Sequence, residues 1–192
     1  IEREKKTGLK YSITIDGLQG GHSGVEIHKE RGNANCLLGR LLYELQAVTD
    51  VQVISANGGL ADNAIPRSAT LECIISKESK DMFEEIVSNY EKNLKQEFSS
   101  KDKDVCVKCV SLDMSEEEVL NKASTLKMAY LLLSVPNGVI AYSADIEGLV
   151  QTSLNLGILQ LKEEELLLQF SVRSSLESEK KLLGQKLDAV TK

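Results

Sequence analysis

Hydrophobic and polar positions divide this chain into short segments of two periods. Alternation marks strands over residues 9–18, 51–56, 69–76 (through Leu71, Cys73 and Ile75) and 105–112. Between them the spacing changes to three and four. Leu37, Leu38, Leu41, Leu42 and Leu45 predict a helix over 31–48, capped near Gly32 and Asn33. Met82, Phe83, Ile86, Val87, Tyr90 and Leu94 predict a second over 79–98, with Ser79 as N-cap. The first 112 residues therefore read β-α-β-β-α-β. That order predicts an α+β, ferredoxin-like unit: an antiparallel sheet with both helices on one face.

From Ser115 the pattern begins again. Ser115 and Glu118 have capping-box spacing before a helix running to about Leu133, and Pro136, Asn137 and Gly138 end it. Strands follow over 139–143, 152–161 and 166–174, then a helix over 177–190. This second half, 113–192, reads as a divergent copy of the first, although no residue-level repeat is visible. The chain lacks an initiator methionine and stops on a helix where a closing strand is due, so it is read as a segment of a larger protein.

Composition narrows the function. The 192 residues carry a formal charge of −6 and no basic stripe, which argues against nucleic acid as a partner. No apolar run approaches membrane-spanning length and no secretory leader is visible, so a cytoplasmic protein with no membrane partner is expected. Cys106 and Cys109 have metal-pair spacing, but a strand turns them to opposite faces and no second pair exists; reduced thiols are expected rather than zinc ligands.

The candidate chemistry lies in the turn after the first strand. Gly20, Gly21 and Gly24 bracket His22 and Ser23, and glycine lets a ligand approach the backbone closely. Both histidines of the chain, His22 and His28, fall in this segment. The stretch GGHSGVEIHKERGNAN resembles the signature of the aminoacyl-histidine (Xaa-His) dipeptidases, within the co-catalytic zinc exopeptidases. The resemblance covers essentially the whole chain but only the lid of such an enzyme. The ligand and base motifs of the catalytic half are missing, so no metal is expected in this chain and no activity from it alone. Two zinc ions are implied for a catalytic domain outside it.

The same resemblance implies roles. His22 matches the histidine that stabilises the oxyanion. Asn63, in Asn63-Ala64-Ile65-Pro66, matches an asparagine that contacts substrate. The stretch around Arg173 is similar to the branch's S-V-R-S-S element, which implies that Arg173 binds the substrate carboxylate. This chain departs from many relatives in having no arginine on the strand over 69–76, which leaves Arg67 as a fallback. Asn155 is a further substrate-binding candidate, and His28 is read as structural. Implied partners are the protein's own catalytic domain, a dipeptide and a second copy through the lid. The alternative is a non-catalytic α+β module for dimerisation or small-molecule binding, as fold alone does not set function.

Overall fold

The computed structural model describes residues 1–191. The first strand is longer than alternation indicates: β1 is Arg3–Asp16. The rest of the first half follows as β2 (Gly21–His22), a 3-10 turn at Ile27–Lys29, α1 (Ala34–Val48), β3 (Gln52–Gly58), β4 (Ala64–Ile65), β5 (Ala69–Ile75), α2 (Lys80–Glu97) and β6 (Cys106–Leu120). The second half is α3 (Lys122–Ser134), β7 (Gly138–Tyr142), β8 (Val150–Leu161), β9 (Leu166–Ser174) and α4 (Glu177–Thr191).

Seven strands make one sheet in the order β6-β1-β5-β3-β8-β7, with β9 also on β8. All its pairings are antiparallel. The two halves meet where β3 lies beside β8, at Asn57 opposite Gln160 and Gly58 opposite Leu159. Tyr11, Ile13 and Ile15 of β1 are buried in one cluster with Leu38, Leu41 and Leu45 of α1, Phe83, Val87 and Leu94 of α2 and Met128 and Leu132 of α3. The α1–α3 crossing is close because Gly39 has no side chain: a Cβ there would lie 2.4 Å from Leu132 Cβ.

Three local readings are corrected. No helix starts at Ser115. Residues 115–120 continue β6, with Glu118 opposite Lys5, Glu117 opposite Lys6 and Glu116 opposite Thr7. Lys10 Nζ stands 3.3 Å from Glu117 and Lys5 Nζ 3.7 Å from Glu116. Opposite charges on facing strands thus prevail over a local capping pattern. The helix begins at Lys122, where Asn121 caps it by accepting from the Ser124 N–H at 2.8 Å. A division between residues 112 and 113 therefore falls inside β6. Ser79 precedes α2 without capping it; its hydroxyl donates to Asp50 at 2.9 Å instead. Met82 is half-exposed, since the buried stripe is Phe83, Val87, Tyr90 and Leu94 and Met82 lies about 100° off it.

The four cysteines are free. Burial pushes the Cys36 thiol up to about 12 and that of Cys109 to about 11. Neither presents a ready thiolate near neutral pH.

Candidate functional site

The loop carrying His22 is anchored at both feet by one buried side chain. The Asp102 carboxylate accepts the Gln19 N–H and the Gly32 N–H, each at 2.7 Å. Sequence reasoning missed this residue, which looked like part of a charged turn over 101–104. Two short hydrogen bonds to backbone amides, from a residue 1% exposed, mark a built anchor. Inside the loop, Glu26 accepts the His22 N–H at 3.0 Å and Lys29 Nζ at 2.7 Å. Those hydrogen bonds, Lys29 first, hold its carboxyl down to about 2. Arg31 joins Glu26 at 3.2 Å and donates to the Gly20 carbonyl. Glu26 and Arg31 thus brace the loop, whereas His28, read as structural, is exposed and its side chain makes no hydrogen bond among the described residues.

Gly21 and His22 pair with Ile65 and Ala64, which sets His22 beside the loop of Asn63. The Ser23 N–H closes this junction by donating to the Asn63 carbonyl at 2.9 Å. The imidazole is oriented from behind. Its Nδ1 accepts the N–H groups of Gly24 at 3.0 Å and Val25 at 3.2 Å. An acceptor nitrogen carries no proton, so the ring's N–H is Nε2–H. His22 is exposed.

Arg173 reaches the same place from β9, where it lies opposite Ser153 of β8. Its guanidinium lies over Gly24. A Cβ on Gly24 would sit 2.9 Å from Arg173 Cζ and 3.1 Å from His22 Cε1, so those two atoms are no more than about 6 Å apart. Among the described residues Arg173 makes no ion pair. The fallback Arg67 is placed otherwise: its stem covers Gly20 and its Nε donates to the Leu18 carbonyl at 3.3 Å.

Asn155 is brought to the site, but as support. It is 1% exposed. Its Nδ2 donates to the carbonyls on either side of Asn63, Asp62 at 3.1 Å and Ala64 at 2.9 Å. Its Oδ1 accepts from Asn33 Nδ2 at 3.2 Å. Asn33 also caps α1, its Oδ1 accepting from the N–H of Asn35 at 3.0 Å and of Cys36 at 3.2 Å. Asn137 completes the network, accepting the Leu156 N–H at 2.9 Å. These asparagines fill the gap along β8 between its pairing with β7 and its pairing with β3. They tie α1, the Asn63 loop and the second half together. Gly157 matters here because its neighbour is so near: a Cβ would lie 2.4 Å from the Asp62 carbonyl oxygen.

The donor set does not fit a zinc site in this chain. Among the described residues no three His, Cys, Asp or Glu side chains are grouped to hold a metal ion. What the face offers is an imidazole N–H donor and a guanidinium side by side, with the exposed Asn63 on the adjoining loop. That set recognises anionic oxygen, whether a developing oxyanion or a carboxylate.

Residues 13–102 match the peptidase dimerisation domain. The chain is 34% identical over 182 residues to the cytosol non-specific dipeptidase of Escherichia coli (strain K12), covering 95% of this chain and 37% of that protein. Its fold matches the crystal structure of aminoacylhistidine dipeptidase from Vibrio alginolyticus with a TM-score of 0.92 and 31% identity, covering 99% of this chain and 39% of that one. The resemblance to aminoacyl-histidine dipeptidases therefore extends over the whole chain, and so does the fold. The chain spans well under half the length of these relatives. No helix among the described residues is long and apolar enough to cross a membrane.

Proposed function

We propose that this chain is the lid of a cytoplasmic metallodipeptidase that hydrolyses Xaa-His dipeptides, and that it closes over a catalytic domain lying outside the sequence. The observation that carries the reading is the meeting of His22 and Arg173 over Gly24, next to Asn63. On this reading the two zinc ions belong to the catalytic domain, and none of the lid's own steps uses them. The division of the lid into two halves is part of the proposal, with the boundary moved from 112/113 to the end of β6 at Leu120.

The lid's residues act on oxygen. His22 presents Nε2–H because Gly24 and Val25 occupy Nδ1. Aimed where the scissile carbonyl gains negative charge, one such donor is worth on the order of 3 kcal/mol. Arg173 binds the C-terminal carboxylate with its planar fork, as an exopeptidase requires. Asn63 contacts the peptide, while Asn155 acts behind it. A purely associative module would need no oriented imidazole beside an unpaired guanidinium, which is what favours the catalytic reading over the non-catalytic one.

The test is hydrolysis of β-alanyl-histidine by the zinc-loaded parent protein. His22→Ala is expected to lower kcat roughly a hundredfold or more, and Arg173→Ala chiefly to raise KM. Wild-type rates in both variants would leave this chain a dimerisation module.

A further inference from the structure

The three glycines around His22 do different things. Gly20 and Gly21 have φ of 65° and 139°, a backbone region that favours glycine. Gly24 has no such φ, so the turn itself does not call for glycine there. What glycine supplies at 24 is room. The place a Cβ would take is 2.9 Å from both Cζ and Nε of Arg173 and 3.1 Å from His22 Cε1. Carbon atoms in ordinary contact stand about 3.5–4.0 Å apart. Equal distances to Cζ and Nε show that the guanidinium lies across the bare glycine by that bond. The rest of its surroundings hold it loosely. Arg173 is exposed and makes no ion pair among the described residues. A free arginine has wide rotamer freedom, so its place beside His22 depends on this seat.

We infer that Gly24 is a positioning residue for carboxylate recognition. Its missing side chain seats the Arg173 guanidinium against the turn of His22, so that one substrate meets both groups. The inference rests on the reading of Arg173 as the group that binds the terminal carboxylate. It also says which function a small side chain at 24 removes. The guanidinium is the free end of a flexible side chain and swings off a methyl group at little cost. His22 is held more firmly. Its Nδ1 accepts the Gly24 and Val25 N–H groups, its own N–H goes to Glu26, and its strand pairs with Ala64. Alanine keeps the N–H of residue 24, so these bonds survive the substitution. The approach to His22 Cε1 is also the looser of the two, at 3.1 Å. Gly24→Ala therefore displaces the carboxylate clamp and leaves the oxyanion donor oriented.

The experiment uses the zinc-loaded, full-length parent protein. Values of kcat and KM are measured for β-alanyl-histidine and for its C-terminal amide, in wild type, Gly24→Ala, Arg173→Ala and the double variant. Gly24→Ala is expected to cut the preference for the free acid in kcat/KM at least about fivefold, chiefly by raising KM for the acid. In the Arg173→Ala background the same substitution changes the acid-to-amide ratio by less than about twofold, because changes that act through one contact do not add. Thermal unfolding of Gly24→Ala at or above the wild-type temperature shows that folding is intact, since alanine costs less to order than glycine. A Gly24→Ala enzyme with the wild-type preference overturns the inference and leaves Arg173 as the clamp. Equal slowing of acid and amide also overturns it, by placing the effect on His22. So does a loss of preference that is the same with and without Arg173. If Arg173→Ala itself keeps the preference, the reading of Arg173 falls and this inference falls with it.

Discussion

Replacing Asn155 by aspartate changes one nitrogen to oxygen and leaves the shape intact. The consequence follows from what that nitrogen does. It donates to the Asp62 carbonyl at 3.1 Å and to the Ala64 carbonyl at 2.9 Å, from a side chain 1% exposed. Asn155→Asp removes both donors and faces a carboxylate with two carbonyl oxygens. Two lost hydrogen bonds account for about 2 kcal/mol. Burying an unpaired charge adds more, reduced because Asp62 is exposed and water can reach its carbonyl. The total is about 3 kcal/mol. For a domain of this size that lowers Tm by about 6–12 °C. Facing two carbonyls raises the introduced carboxyl's pKa, so the deficit is full at neutral pH and shrinks on acidification as one donor returns. Urea denaturation measures the loss. Amide exchange localises it, because Ser23 donates to the Asn63 carbonyl and should exchange faster while the α2 amides follow only global stability. Stability within about 0.5 kcal/mol of wild type and unchanged Ser23 exchange would refute the view that Asn155 holds this loop.

Asp102→Ala strips the acceptor from the Gln19 and Gly32 amides and is expected to destabilise by about 3 kcal/mol in urea denaturation. Glu26 supplies a pH test. Its carboxyl is held below its ordinary 4.5, so its contribution to the loop is present above 4.5 and is lost as pH falls toward about 2. The His22 amide shift should therefore titrate near 2 in the wild type and not in Glu26→Gln; a midpoint near 4.5 would mean that the Lys29–Glu26–His22 contacts do not form. Gly39→Leu overfills the α1–α3 crossing, where even a Cβ meets Leu132, and should cost about 1–3 kcal/mol.

The first half was readable because its signals are local. Alternation through Tyr11, Ile13 and Ile15, and the leucine spacing of α1, need no partner to interpret, and all of these residues are buried. Ser115 through Glu118 show where local reading fails. The same four residues satisfy a capping box and an edge strand, and Lys5 and Lys10, more than a hundred positions away, select the strand. The two-residue pairing of β2 with β4 is too short to leave a periodic trace. His22, Asn63 and Arg173 were found by resemblance, because nothing in spacing connects residue 22 with residue 173. Asn33 was legible as the cap of α1 and Asn155 as a candidate at the site, but neither as part of a buried bridge. Their function as a buried bridge emerges once 122 positions of chain are folded together. Asp102 carried no signal, since a buried and a solvated aspartate look alike in sequence.

The central claim is that Arg173 and His22 form one site reading a peptide's terminal carboxylate and its scissile carbonyl. The most direct measurement compares kcat/KM of the parent protein for β-alanyl-histidine and for its C-terminal amide. Wild type should prefer the free acid by at least about tenfold, Arg173→Ala should lose that preference, and His22→Ala should slow both substrates while keeping it. A preference that survives Arg173→Ala unchanged would place carboxylate recognition elsewhere and contradict the account.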